Sequence, residues 1–199
     1  MQTKKPSNAR TAILEQATPL FATKGYSGVS MRDISKKVGT SAAALYHHFP
    51  DKQSLYMAVM EFVFADKMKN IAPPPGDSAP ASRQLEHFVR HFVNLLASDP
   101  SLRALLQREL LDGDEVRLKL LARRLFIGPF EAIATFAKSL SSKSDPHMLA
   151  VSMIGLLLFH FETIPIREFL PSGQDKHNDV EVITNHVTQL LTTALGVSE

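Results

Sequence analysis

The apolar positions of this chain recur at three- and four-residue intervals almost from end to end, the pattern of helices with one face turned inward. Over 8–24, Ile13, Ala17, Leu20 and Phe21 follow that spacing, and Gly25 stands where a helix closes on a left-handed residue. Pro19 lies inside the pattern, removes one backbone hydrogen bond and predicts a bend. Ser30, followed three residues later by Asp33, starts a second helix that Gly39 ends. Ser41 caps a third, 42–48. Pro50-Asp51 then breaks the chain before Leu55, Ala58, Val59 and Phe62 mark a fourth helix running to about 70. The Pro/Gly/Ser-rich stretch 72–82 is a loop, long for a connection inside a compact domain and suited to a lid-like or mobile segment. Beyond it the spacing predicts helices near 83–98, 101–111, 115–140 (interrupted at Gly128-Pro129), 146–164 and 178–195. No alternating run of strand length competes, so the expected fold class is all-α.

Composition sharpens this at a few points. A hydrophobic content of 44% is ample for a buried core. The absence of cysteine excludes disulfides, thiolate metal sites and Cys nucleophiles. Met1–Arg10 is polar and lacks the apolar centre of a signal peptide. The run Met153–Phe159 is far shorter than the roughly 20 residues a bilayer crossing needs. The expectation is a cytoplasmic protein with no membrane partner. Charge is distributed unevenly: residues 1–56 carry eight Lys or Arg against three acids, a net +5, while 57–199 carry 14 against 17, a net −3. A basic end on a near-neutral body is the footprint of a nucleic-acid contact.

The same end holds the candidate chemistry. Two short helices joined by a glycine turn suit a helix-turn-helix, in which the second helix enters the DNA major groove. On 42–48, Leu45 and Phe49 share the inner face, while Ala43, Tyr46 and His47 share the outer one. Ala42-Ala43-Ala44 keeps the helix start slim enough for close approach and for contact with thymine methyls. His47 can bond a base edge; Tyr46 and His48 can reach phosphates. Lys52 stands in the first turn of a helix, where the dipole disfavours a cation by roughly 0.3–1 kcal/mol. A phosphate held jointly by helix amides and the ammonium accounts for it there. Ser30, Thr40 and Ser41 read as caps and turn residues whose hydroxyls can also contact phosphate.

Taken in order, Arg10-Thr-Ala-Ile13-Leu-Glu-Gln-Ala17-x-x-Leu20-Phe21-x-x-x-Gly25-Tyr26, Met31-x-x-Ile34-Ser35-x-x-x-Gly39 and Ser41-x-x-x-Leu45-Tyr46-x-His48-Phe49-x-x-Lys52-x-x-Leu55 resemble the N-terminal domain of TetR-type transcriptional regulators. The resemblance covers residues 10–56, 47 of 199, and fixes three helices and both turns. It implies a three-helix DNA-binding domain over 1–56, a linking helix at about 52–70, and a larger helical effector-binding and dimerisation domain over 57–199. It further implies a homodimer on an inverted-repeat operator in double-stranded DNA, usually repressing nearby genes, with a ligand that moves the reading heads apart. By that pattern Ser30, Thr40, Ser41, Ala43, Tyr46, His47, His48 and Lys52 contact DNA. Thr40 stands in the turn where an apolar residue is commoner, and Ala43 where glycine is frequent; both leave the operator sequence open.

In the C-terminal body, Ile183, Val187, Leu190, Leu191 and Ala194 form a helical stripe, and 146–164 is apolar nearly all round, with Met153, Leu157 and Phe161 among its large residues. Those eight are the expected dimer contacts of a four-helix interface. Aromatic supply is rich, and His87, Phe88, His91, Arg108, Glu109, Phe126, Phe130 and His160 are candidate contacts for a small, largely apolar effector. His87 and His91 have the four-residue spacing of metal ligands, but no second pair joins them, so neither metal nor cofactor is expected. An enzyme using His160 and Glu162 as acid and base is disfavoured, because residues two apart point to different sides of a helix, and no hydrolase, zinc-protease or phosphate-loop motif is present. A helical ligand-binding or dimerisation module without DNA function is the other reading.

Overall fold

A computed structural model of the chain describes residues 9–74 and 76–197. The first eight residues lie outside that set, and with them most of the stretch read for a signal peptide and the predicted start of the first helix. Among the described residues there are helices and turns but no strands. They divide into two compact units, the described residues of 1–66 with 100–125, and those of 67–99 with 126–199. The expected boundary at 56/57 does not coincide with this division, because the first unit also takes in 57–66 and 100–125.

The first unit contains α1 (Ala9–Lys24), α2 (Met31–Val38), α3 (Ala42–His48), α4 (Lys52–Phe64), α6 (Pro100–Asp112) and α7 (Glu115–Leu121). Helix α1 packs on α2, α4 and α6, and α2 on α3. Phe21, Ile34, Leu45, Phe49, Leu55 and Tyr56 are its fully enclosed centre. Pro19 does not end α1, which runs on to Lys24. Pro19 and Glu15, whose carbonyl it leaves unbonded, both lie on the exposed face, where water can take that bond. Helix α4 stops at Phe64, six residues short of expectation, and turns follow to Asn70, which takes a left-handed φ of 56°.

The second unit contains α5 (Ala81–Ser98), α8 (Ile127–Leu140), α9 (Pro146–Glu162), the short α10 (Ile164–Arg167) and α11 (Val180–Leu195). Helix α5 packs on α9 and α11, and α8 on α9. The predicted 115–140 helix is interrupted by a π-helical stretch, Ala122–Phe126, ahead of Gly128-Pro129. Pro129 falls in the first turn of α8, where its missing N–H costs nothing. Of the expected interface residues, Met153, Leu157, Phe161, Ile183, Val187 and Leu191 are buried within a single copy, while Leu190 and Ala194 are exposed. The apolar side chains that α9 and α11 leave outside are instead Met148, Val151, Phe159, Val182 and Leu190. A helix apolar on all sides buries one stripe and exposes another, and composition cannot say which.

Candidate nucleic-acid interface

Local caps build the site. Ser30 accepts a hydrogen bond from the Asp33 amide (3.1 Å), and Asp33 accepts in return from the Ser30 amide (3.0 Å) and hydroxyl (2.6 Å), a closed capping box at the head of α2. These bonds hold the Asp33 carboxyl below its ordinary pKa. At Gly28 a Cβ would fall 2.3 Å from the Lys24 carbonyl oxygen, so glycine alone lets the chain turn from α1 toward α2. Gly39 closes α2 at φ 74°, a left-handed position that suits glycine. Ser41 accepts from the Ala44 amide (3.1 Å) and starts α3. Asp51 accepts from the Ser54 amide (2.6 Å) and starts α4.

These turns fix what α3 shows to its surroundings. Leu45 and Phe49 are buried, and the Arg10 guanidinium lies 4.9 Å over the Phe49 ring. Ala43, Tyr46 and His47 are exposed, Tyr46 at 49% of its surface. His48 is half-buried, with its ring 5.6 Å from that of His47. Thr40 is half-buried, while Ser30 and Ser41 are exposed and occupied as caps.

Tyr46 and Lys52 also line an open groove of about 590 Å³ with Ser30, Met31 and Arg32 at the head of α2. Asp33 lines it as well, with its amide and carboxylate engaged by Ser30, so the groove sets Arg32 and the Lys52 ammonium beside one capped carboxylate. Arg32, exposed in the first turn of α2, escaped the sequence reasoning; its spacing from Ser30 was the available signal. The Lys52 ammonium also rests 4.2 Å over the Tyr26 ring, and burial with the nearby Arg117 charge pulls its pKa below the usual lysine value.

The effector candidates fall in both units. Arg108 and Glu109 fall in the first unit, the other six in the second. The Arg108 Nε donates to the Ala22 carbonyl (2.7 Å), and Glu109 is a buried partner of Tyr56 and Arg117, so both are accounted for as structural contacts. Phe88 is core, its ring 5.7 Å from Phe92 and 5.5 Å from Phe136. Phe130 and Phe126 are half-buried, and Phe130 lies 5.0 Å from the His147 ring. His87 is exposed; His91 is half-buried, with an Nε2 that finds no hydrogen-bond partner among the described residues. His160 lies 5.7 Å from His186, and burial, with Arg167 and His186 beside it, lowers its pKa. A cavity of about 310 Å³ in the second unit is lined by Phe136, Thr135, Ser139 and Gln84 against the 73–81 loop, and by none of the eight candidates.

A capped two-helix turn with an exposed second helix is the geometry of a helix-turn-helix domain. Residues 13–59 match the model of the bacterial regulatory proteins of the tetR family, and the amino-terminal domain is a TetR-family helix-turn-helix. The chain is 44% identical over 55 residues to the HTH-type transcriptional repressor AcnR of Corynebacterium glutamicum, covering 28% of this chain and 29% of that one. It thus spans less than a third of that relative's length. The fold likeness extends further. A tetR-family regulatory protein from Rhodococcus RHA1 superposes with a TM-score of 0.76 at 19% identity, covering 97% of this chain and all of that one. The structure of AibR in complex with isovaleryl coenzyme A and operator DNA gives 0.65 at 23% identity, covering 92% and 97%. The architecture of the whole described chain is therefore that of TetR-type regulators. No helix among the described residues is long and apolar enough to cross a membrane.

Proposed function

We propose that this protein is a sequence-specific, DNA-binding transcriptional regulator of the cytoplasm, a ligand-responsive repressor that holds an inverted-repeat operator as a homodimer. The observation that carries the reading is the joint exposure of Ala43, Tyr46 and His47 on α3 beside the groove shared by Tyr46 and Lys52. Ala43 and His47 read base edges; Tyr46, His48, Lys52 and the cap hydroxyls of Ser30 and Ser41, with Thr40 in the turn between them, hold phosphates. The repressor function named for AcnR and the operator DNA held by AibR support it by likeness.

The dimer face we assign is the outward stripe of α9 and α11, with Met148, Val151, Phe159, Leu190 and Ala194, since a self-complementary apolar face closes a two-fold pair. The effector is small and largely apolar, and its proposed contacts in the second unit are Phe126, Phe130, His87, Phe88, His91 and His160. The test is fluorescence-anisotropy titration of a labelled duplex from the DNA upstream of the protein's own coding sequence, over a salt series. Salt-sensitive binding that outlasts excess unrelated DNA is the expected result. Absence of binding even at low salt would leave a helical ligand-binding module.

A further inference from the structure

Tyr26 stands at a junction that the DNA reading does not use. It follows Gly25, whose φ of 70° closes α1, and its half-buried ring meets the Tyr56 ring edge-on at 5.1 Å. Two cations lie over the same ring, each 4.2 Å from its centre: the Lys52 ammonium from the head of α4 and the Arg117 guanidinium from α7. Arg117 is anchored by three carboxylates. Its Nε donates to Glu109 (3.1 Å), one terminal nitrogen to Asp112 (3.1 Å), and the other faces Asp114 at 3.4 Å. Glu109 accepts in turn from the Tyr56 hydroxyl (2.8 Å), and Tyr56 stacks edge-on against Phe21 at 4.9 Å. All of these residues belong to the first unit.

This arrangement has a physical consequence for Lys52. A lysine ammonium on a free four-carbon stem samples many positions and loses that freedom on meeting a phosphate. An aromatic face beneath it removes much of the freedom beforehand while leaving the ammonium's donors available. Arg117 is held to Glu109 and Asp112, so its place on the ring is fixed by partners other than the ring. The groove with Ser30 and Tyr46 is where Lys52 is found.

We propose that Tyr26, braced by Arg117, is the positioning residue that holds the Lys52 ammonium ready for a DNA phosphate. The α6–α7 corner, which carries Glu109, Asp112, Asp114 and Arg117, thereby controls whether that phosphate contact is preformed. The inference rests on the DNA-binding reading.

The experiment is a double-mutant cycle on DNA affinity, again read by anisotropy over a salt series with the upstream duplex. Lys52→Ala lowers the salt slope by about one unit, as loss of one phosphate contact should. Tyr26→Leu produces the same fall, and the Lys52→Ala/Tyr26→Leu double variant binds no more weakly than Lys52→Ala, within about twofold. Tyr26→Phe, which keeps the ring, restores the slope. Circular dichroism and thermal unfolding verify that the variants are folded. Should Tyr26→Leu fail to fold, pentafluorophenylalanine placed at position 26 keeps the ring's shape while reversing the charge character of its face, and it reproduces the Lys52→Ala slope. Additive losses in the cycle, or a fluorinated ring that binds as Tyr26→Phe does, overturn the positioning role while leaving the DNA reading intact. A wild-type chain with no salt-sensitive DNA binding overturns both.

Discussion

The two units of this chain are organised by different chemistry. The first is punctuated: four helix starts (α2, α3, α4 and α7) carry side-chain caps, glycines serve three of its turns, and a buried polar cluster of Tyr56, Glu109 and Arg117 ties α4 to α6 and α7. The second has caps at Asp145 and Asp179, but its interior is largely apolar: α5 packs on α9 and α11, with Phe88, Leu157, Phe161 and Val187 buried. Caps and polar clusters are directional and admit few alternatives, so they set side-chain positions closely, as a surface that reads a groove requires. Apolar packing is less directional and tolerates substitutions that conserve volume.

The comparison breaks most readily at Glu109. It is 2% exposed and Arg117 is 7% exposed, so Glu109→Ala leaves a buried guanidinium short of its main partner. The expected cost is about 3–5 kcal/mol, toward the lower end because Asp112 and Asp114 remain beside Arg117. Urea denaturation measures it. Replacing both partners with apolar residues, Glu109→Leu with Arg117→Met, recovers most of the stability. A loss in the double variant as large as in the single one would show that the cluster is more than a compensated charge pair.

A smaller effect separates the units by pH. In the first, hydrogen bonds from Ser30 depress the Asp33 carboxyl, and the Ser54 amide depresses Asp51. A carboxyl with a lowered folded pKa contributes stability above its unfolded value near 3.8 and loses it as pH falls through the folded value. The head therefore keeps that contribution until the solution is strongly acid. In the second unit, burial lowers His160, which favours the neutral imidazole of the folded state. Its contribution is present above the unfolded value near 6.5 and is lost as pH falls through the folded one. The body should thus begin to weaken in mild acid, before the head. Thermal unfolding between pH 7 and 5 should fall for the wild type and flatten in His160→Gln; equal slopes would remove His160 from the account.

The same contrast explains what could be read in the sequence. Ser30 with Asp33, Gly39 and Ser41 act within a few residues of themselves, so the helix-turn-helix and the outward set Ala43, Tyr46 and His47 were legible from spacing alone. The partner of Lys52 was not. Tyr26 and Arg117 reach it from distant parts of the chain, and no local pattern records a cation over a ring. Nor did spacing place Glu109, read as an effector contact, in its buried position between Tyr56 and Arg117. In the second unit periodicity found the helices, but Met153, Leu157 and Phe161 face the core, while Val151 and Phe159 of the same helix face outward. The end of α4 carries no breaker residue, and the π-helical stretch at Ala122–Phe126 begins seven residues ahead of the proline that spacing pointed to.

The central claim is that α3 reads bases while the head of α4 grips the backbone. Site selection from a randomised duplex pool, carried out side by side with the wild type, His47→Ala and Lys52→Ala, tests it most directly. The wild type should enrich one inverted-repeat site. His47→Ala should lose preference at particular base positions, and Lys52→Ala should select the same site with affinity weakened about equally for every sequence. Identical changes in preference for the two variants, or a wild type that enriches nothing, would contradict the account.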